Sequence, residues 1–281
     1  MENAFFHFRQ NPSELLDQKL LDLAQMKVRI IGTLVIVLSV FYVGEAQSVR
    51  IKLVNCNIDK ETLTHIQNSL TYQLRFYSQI FNQPIDTSFR AVVFGTEKEF
   101  VKYAKSKANY NPLKNHSIAF YHEGLNEMIL HKEVENFPKV FAHEVSHAIL
   151  SFYCNYETKW LDEGLAEVLE DVVANDSVYY FADTQHSKIT TVQKLFLEGR
   201  SIKEPLNTTN FNQPPSNIRN YNLSFAIVLY FFQTRKEILK NIMRSDCSQV
   251  NNIININYPE GLDLLQIDVK SWFLNYDPRS N

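Results

Sequence analysis

Residues 48–54 alternate Val, Ile and Leu with polar side chains, a period of two that predicts a half-buried strand. The period then changes. Leu63, Ile66, Leu70, Leu74 and Tyr77 fall on one stripe at helical spacing, which predicts a helix over residues 59–81 with Asp59 as its N-cap and Pro84 beyond its end. FRAVVF at residues 89–94 reads as a buried strand, and Thr96 can cap a short helix running through Lys105. Two further strands are predicted at residues 117–121 and 127–131, joined by a turn containing Gly124. Pro138 then opens a helix on which Val140, Phe141, Val145, Ala148, Ile149 and Phe152 are apolar.

This order of elements suits a mixed sheet with helices on one side. Beyond Glu163 the pattern is almost wholly helical, over residues 161–173, 191–198, 221–232 and 234–243, with short helices around Leu262 and Trp272. Residues 201–219 are polar, contain Pro205, Pro214 and Pro215, and read as a long surface loop. No repeat or linker divides the chain, so residues 47–281 are expected to form a single α+β domain with an N-terminal α/β part and a C-terminal helical part.

Upstream the pattern is different. Met26 is followed by Lys27 and Arg29, an uncharged apolar run over residues 30–43, and small residues at Gly44 and Ala46, which is the order of a secretory signal peptide over residues 26–46. Fourteen residues of helix rise about 21 Å, short of a hydrocarbon core of roughly 30 Å, so a permanent span is the weaker reading. Residues 1–25 carry four acids and two bases, unlike the start of a leader, which makes them a mis-assigned extension with translation starting at Met26. Two alternatives stay open: an uncleaved signal anchor holding the chain at a membrane, and a buried strand or helix of the fold. The favoured reading predicts a secreted, periplasmic or cell-envelope protein.

Composition narrows the partners. The chain has 281 residues, a net charge of -3 and a pI near 6.3, with Lys and Arg scattered, so it presents no basic field for nucleic acid. Cys56, Cys154 and Cys247 show no C-x-x-C spacing, which leaves room for one disulfide and a free thiol.

The candidate chemistry lies in FAHEVSHAILSFYCNYETKWLDEGLAE, residues 141–167. On a helix His143 and His147 stand about 40° apart and can aim imidazole nitrogens at one point, as two ligands of a zinc ion. Glu144 lies about 100° round, within reach of a metal-bound water as general base. Val140, Phe141, Val145 and Ala148 put the histidines in a partly buried setting, where imidazoles without partners are costly.

Metzincin peptidases take a third His after a helix-breaking Gly, but Leu150 and Tyr153 occupy those positions here. H-E-x-x-H followed by W-L-D-E-G-L-A-E instead resembles the gluzincins, and most closely the peptidase MA-like families, over residues 139–172. The resemblance implies a zincin-like fold and Zn2+ held by His143, His147 and Glu163. It also implies that Gly164 and Ala166 let the second helix approach the histidine helix, and it gives Asp162 no role. Glu167, one turn beyond Glu163, is the candidate carboxylate for the second N–H of His143, the alternative being a solvated surface glutamate. The segment 219–232 resembles the helix that follows the zinc helices in these families, which makes Tyr221 the candidate oxyanion donor, against a packing role.

His116, His122, His131 and His186 read as surface or sheet residues. The strand at 127–131 sits where zincins place an edge strand, to which a peptide can add. Gly124-Leu-Asn-Glu-Met has the residue types of the aminopeptidase G-x-M-E-N signature in another order, so recognition of a free amino terminus is not implied.

The expected function is hydrolysis of peptide bonds by a zinc-activated water with Glu144 as general base, acting on a peptide or protein. The rival is a catalytically silent zincin-fold scaffold of the cell envelope, and a second rival is an envelope hydrolase with a non-peptide substrate.

Overall fold

The computed structural model describes residues 33–42, 45–85, 88–155, 158–175, 178–181, 184–212, 216–248, 253–258 and 260–276, with the backbone alone at 33–48 and 173–185. The compact unit comprises Thr33–Asn281. Its first half is built on a five-stranded sheet of β1 (Thr33–Tyr42), β2 (Glu45–Val54), β3 (Ser88–Phe94), β4 (Ala119–His122) and β5 (Glu127–His131). The order is β1-β2-β3-β5-β4, with β2, β3 and β5 parallel and the two outer strands antiparallel to their neighbours.

Alternation along each strand gives the sheet two apolar faces. Val49, Ile51 and Leu53 of β2, Ala91 and Val93 of β3, and Met128 and Leu130 of β5 join the main core. Against that face lie α1 (Lys60–Phe81) and α4 (Phe137–Tyr153). Asp59 starts α1, its Oδ1 accepting from Thr62 N at 2.8 Å, and the stripe from Leu63 to Tyr77 is buried. The opposite face carries Val92, Phe94 and Ile129, which pack on Phe100 of α2 (Glu97–Lys107) and on Ala108 at its C-cap. Helices therefore cover both faces, not one, because β3 and β5 are apolar at consecutive positions. A one-turn α3 (Pro112–Asn115) leads into β4. The edge strands are β1 and β4; β5, expected at the edge, is paired on both sides.

After α4 come α5 (Lys159–Leu169), a hairpin of β6 (Val172–Asn175) and β7 (Val178–Phe181), and α6 (Thr184–Leu197). The hairpin was not expected: a helix was predicted to residue 173, but the β-branched Val172–Val173 pair leaves it for a strand. Next are α7 (Lys203–Asn207), α8 (Asn217–Thr234), α9 (Lys236–Cys247), α10 (Ile253–Asn257) and α11 (Gly261–Asn275). The predicted surface loop at 201–219 is in part helical and in part packed, with Ile202 and Phe211 buried and Asn220 Nδ2 donating to Phe211 O at 2.9 Å. One helix replaces the two short ones expected around Leu262 and Trp272, and Phe196, Phe225 and Phe273 join α6, α8 and α11 edge to face.

Residues 1–32, which include the start of the expected leader, lie outside the described residues. Of the apolar run, Thr33–Tyr42 forms the ladder with β2. That ladder belongs to the unprocessed chain, whereas the expected cleavage concerns the exported one. Among the described residues no helix is long and apolar enough to cross a membrane.

Two links fix the turn between α4 and α5. Cys154, just past α4, is bonded to Cys247 at the end of α9, and Asp246 Oδ2 accepts from Thr158 N at 2.8 Å where α5 begins. Cys56 is free. On its far side α5 is pressed against α8. A Cβ at Gly164 would lie 2.7 Å from Ser224 O and 2.7 Å from Val228 Cγ2, so this glycine serves the approach to α8 rather than to α4, as the resemblance had implied. Gly164→Ala is expected to lower stability by about 1–3 kcal/mol through overpacking against backbone, and a denaturation midpoint equal to wild type would contradict so close a contact.

Candidate metal centre

His143 and His147 project from α4 with ring centroids 4.8 Å apart and planes at 76°. Their Nε2 atoms converge on one oxygen: Glu163 Oε2, from α5, lies 3.4 Å from His143 Nε2 and 3.5 Å from His147 Nε2. Ligand atoms of these three residues all fall within 4.8 Å of one another.

The outer nitrogens are tied down. His143 Nδ1 donates to Glu170 Oε2 at 2.6 Å and His147 Nδ1 to Asp162 Oδ1 at 2.5 Å. With Nδ1 tied to its carboxylate, each imidazole turns Nε2 toward the Glu163 oxygen, the nitrogen that can ligate a metal once its own proton is lost. Glu163 Oε2 itself is buried without a hydrogen-bond donor.

Charge follows from this geometry. Burial opposes protonation of His147, yet Asp162 and Glu163 outweigh it and hold the imidazole up at about 10. His143 is likewise raised well above the ordinary histidine value, burial being overcome by Glu163 and Glu170. Burial favours the neutral form of Glu163, and the two imidazoles overcome it to hold the carboxyl well below its usual range. The cluster therefore draws positive charge to the point between the three side chains. A tetrahedral ion with arms of about 2.0–2.1 Å has edges of about 3.3 Å, close to the 3.4 and 3.5 Å separations here, so the donor set fits zinc.

Glu144 follows His143 on α4 and is buried, its Oε2 without a partner. Burial pushes its carboxyl up, against the pull of the two imidazoles. Tyr221 stands in the second turn of α8 and donates from Oη to Asn212 Oδ1 at 3.3 Å. Burial, then the carboxylates of Glu163, Glu167 and Glu144, push its phenol far above the usual range.

No protein-family profile matches the chain, and no curated protein matches its sequence. Solved structures match in three dimensions. An M1 zinc metallopeptidase from Deinococcus radiodurans superposes with a TM-score of 0.51 at 11% identity, over 88% of this chain and 53% of that one. A mutant of an M1 zinc metallopeptidase from the same organism gives 0.50 at 10%, over 89% and 53%. A two-domain M1 zinc metallopeptidase mutant bound to L-arginine gives 0.50 at 11%, over 88% and 52%. The fold is zincin-like. This chain spans about half the length of the metallopeptidases it matches.

Within that fold, the partner of His143 differs from the one expected. Glu170, not Glu167, accepts from Nδ1; Glu167 turns to Lys188, its Oε2 2.6 Å from Nζ. Seven residues on a helix return within about 20° of the starting direction, whereas four overshoot by about 40°, so Glu170 shares the face of Glu163 more closely. Asp162, given no role from sequence, holds the other histidine. Both were findable, since each imidazole ligand needs an acceptor and the second helix with its C-cap offers four carboxylates.

Other expected positions lie elsewhere. His122 and His131 sit in β4 and β5, and His116 and His186 are exposed. Glu127, from the segment with aminopeptidase-signature residue types, faces α2: Tyr103 Oη donates to its Oε2 at 2.9 Å and Arg90 Nη1 lies 3.7 Å from Oε1. That is the face opposite α4.

Glu170→Gln is expected to weaken zinc affinity by about 10–100-fold in chelator competition, and Glu167→Gln by less. The reverse order would restore Glu167 as the acceptor for His143.

Proposed function

We propose that the chain is a zinc-dependent peptidase, with His143, His147 and Glu163 as metal ligands. The observation that carries this reading is the convergence of both Nε2 atoms on Glu163 Oε2 while each Nδ1 is held by a separate carboxylate. Bound zinc would polarise a carbonyl and lower the pKa of a water to about 7.

The chain's own residues supply the rest. Glu144 has a free buried oxygen beside the ligands and a carboxyl shifted upward, toward the range in which it can take and return a proton. Tyr221 stays protonated at neutral pH and can swing its hydroxyl from Asn212 to stabilise the oxyanion of a tetrahedral intermediate. Asp162 and Glu170 keep the imidazoles in one tautomer.

A peptide or protein substrate is supported by the zincin-like fold shared with M1 zinc metallopeptidases. Among the described residues β4 pairs with β5 alone, and an extended chain can add at that edge of the sheet. Export to the cell envelope or beyond is supported by the leader-like segment 26–46 and by the Cys154–Cys247 disulfide, a bond of oxidising compartments. In the uncleaved chain residues 33–42 pair with β2 as β1, so a membrane tether through segment 30–43 would require that strand to leave the sheet. The charge of -3 offers nothing to nucleic acid.

Metal analysis and digestion of a broad peptide library by wild type and Glu144→Ala test the reading. Expected are about one zinc per chain in both and cleavage by wild type alone. Zinc-free wild type would overturn the metal centre, and zinc without cleavage would favour the silent scaffold.

A further inference from the structure

Lys188 reaches the C-terminal end of α5 from α6, on the far side of the β6–β7 hairpin. Its Nζ lies 2.6 Å from Glu167 Oε2, 2.6 Å from Glu170 Oε1 and 3.1 Å from Asp171 Oδ2, and it donates to the Glu167 carbonyl at 2.8 Å. The Phe225 ring closes another side, its centroid 5.2 Å away. This side chain is 13% exposed and that of Asp171 fully buried, so the ammonium and its carboxylates are held out of water.

A second cation approaches the same group. Lys139 Nζ, from the first turn of α4, is 3.2 Å from Glu170 Oε1 and 2.9 Å from Asp171 Oδ1. Two ammonium groups and the Nδ1–H of His143 thus stand against the carboxylates of Glu167, Glu170 and Asp171. Both lysines meet Glu170 through Oε1, and Oε2 is the atom on His143 Nδ1.

We propose that Lys188 is a positioning residue of the metal centre: by gripping Glu170 Oε1 it turns Oε2 onto His143 Nδ1 and so fixes the tautomer that presents Nε2 to the metal. The proposal rests on the metal-centre reading above. Carboxylate torsions are soft, so an acceptor gripped at one oxygen holds its direction where a free one turns.

The test measures zinc affinity by chelator competition in wild type, Lys188→Met, Glu170→Gln and the double variant. Lys188→Met is expected to weaken binding by about 10–100-fold, and the double variant to bind no more weakly than Glu170→Gln alone, because both changes act through one contact. Should the unbalanced charge keep Lys188→Met from folding, Lys188→Met with Glu167→Met removes the pair together and is expected to show the same loss. Wild-type affinity in either folded variant, or losses that add in the double variant, would overturn the proposal. Wild type that holds zinc beside an unaffected Lys188→Met removes Lys188 and leaves the metal centre standing. Wild type that holds none removes both.

Discussion

Ionised groups taken out of water must be paired, and most of the architecture around α5 answers that demand. Within three turns this helix and its C-cap bring Asp162, Glu163, Glu167 and Glu170 against a single face of α4 and its surroundings. His147 and Lys159 meet the first of these, the two histidines the second, and Lys188 and Lys139 the remainder together with Asp171. The candidate metal point sits at the middle of this row. Cations of the protein flank it on either side along α5, and the gap between them is the place where the imidazole nitrogens turn inward.

Pairing of this kind tolerates little movement, and α5 is accordingly confined on every side. α4 meets it through the histidines, and α8 approaches so near that only glycine fits at position 164. The start of the helix is fixed by Asp246 through Thr158 N, and its end by Lys188. α4 is held as firmly, since Gln73 Nε2 donates to Ala142 O at 2.8 Å and Tyr77 Oη meets Ser146 Oγ at 2.7 Å. Both contacts come from α1, so the sheet-bearing half braces one ligand helix and the helical half braces the other.

What the sequence revealed follows how local each signal is. HEVSH and the glutamate of WLDEG are legible because a short spacing on one helix, and one turn of chain, are all they need. Asp59 and Thr96 were legible as caps for the same reason. The choice between Glu167 and Glu170 depends on how two helices cross, which spacing along one helix does not contain. The resemblance points Gly164 at α4, but its neighbour is Ser224, sixty residues on. Lys188 was out of reach because the chain returns to α5 through a hairpin whose four-residue strands leave too short a period to recognise.

The Cys154–Cys247 bond has a consequence for how the protein comes into being. Lys188, Ser224, Asp246 and Cys247 all follow Glu170 in the chain, and each holds α5 or the turn before it. A growing polypeptide that has reached residue 170 thus possesses every candidate ligand, the carboxylates on both imidazoles and the α1 contacts to α4, but lacks most of the contacts that confine α5. Those contacts reach to the end of α9, nearly the whole length of the domain, and one of them is a bond made by oxidation of two thiols.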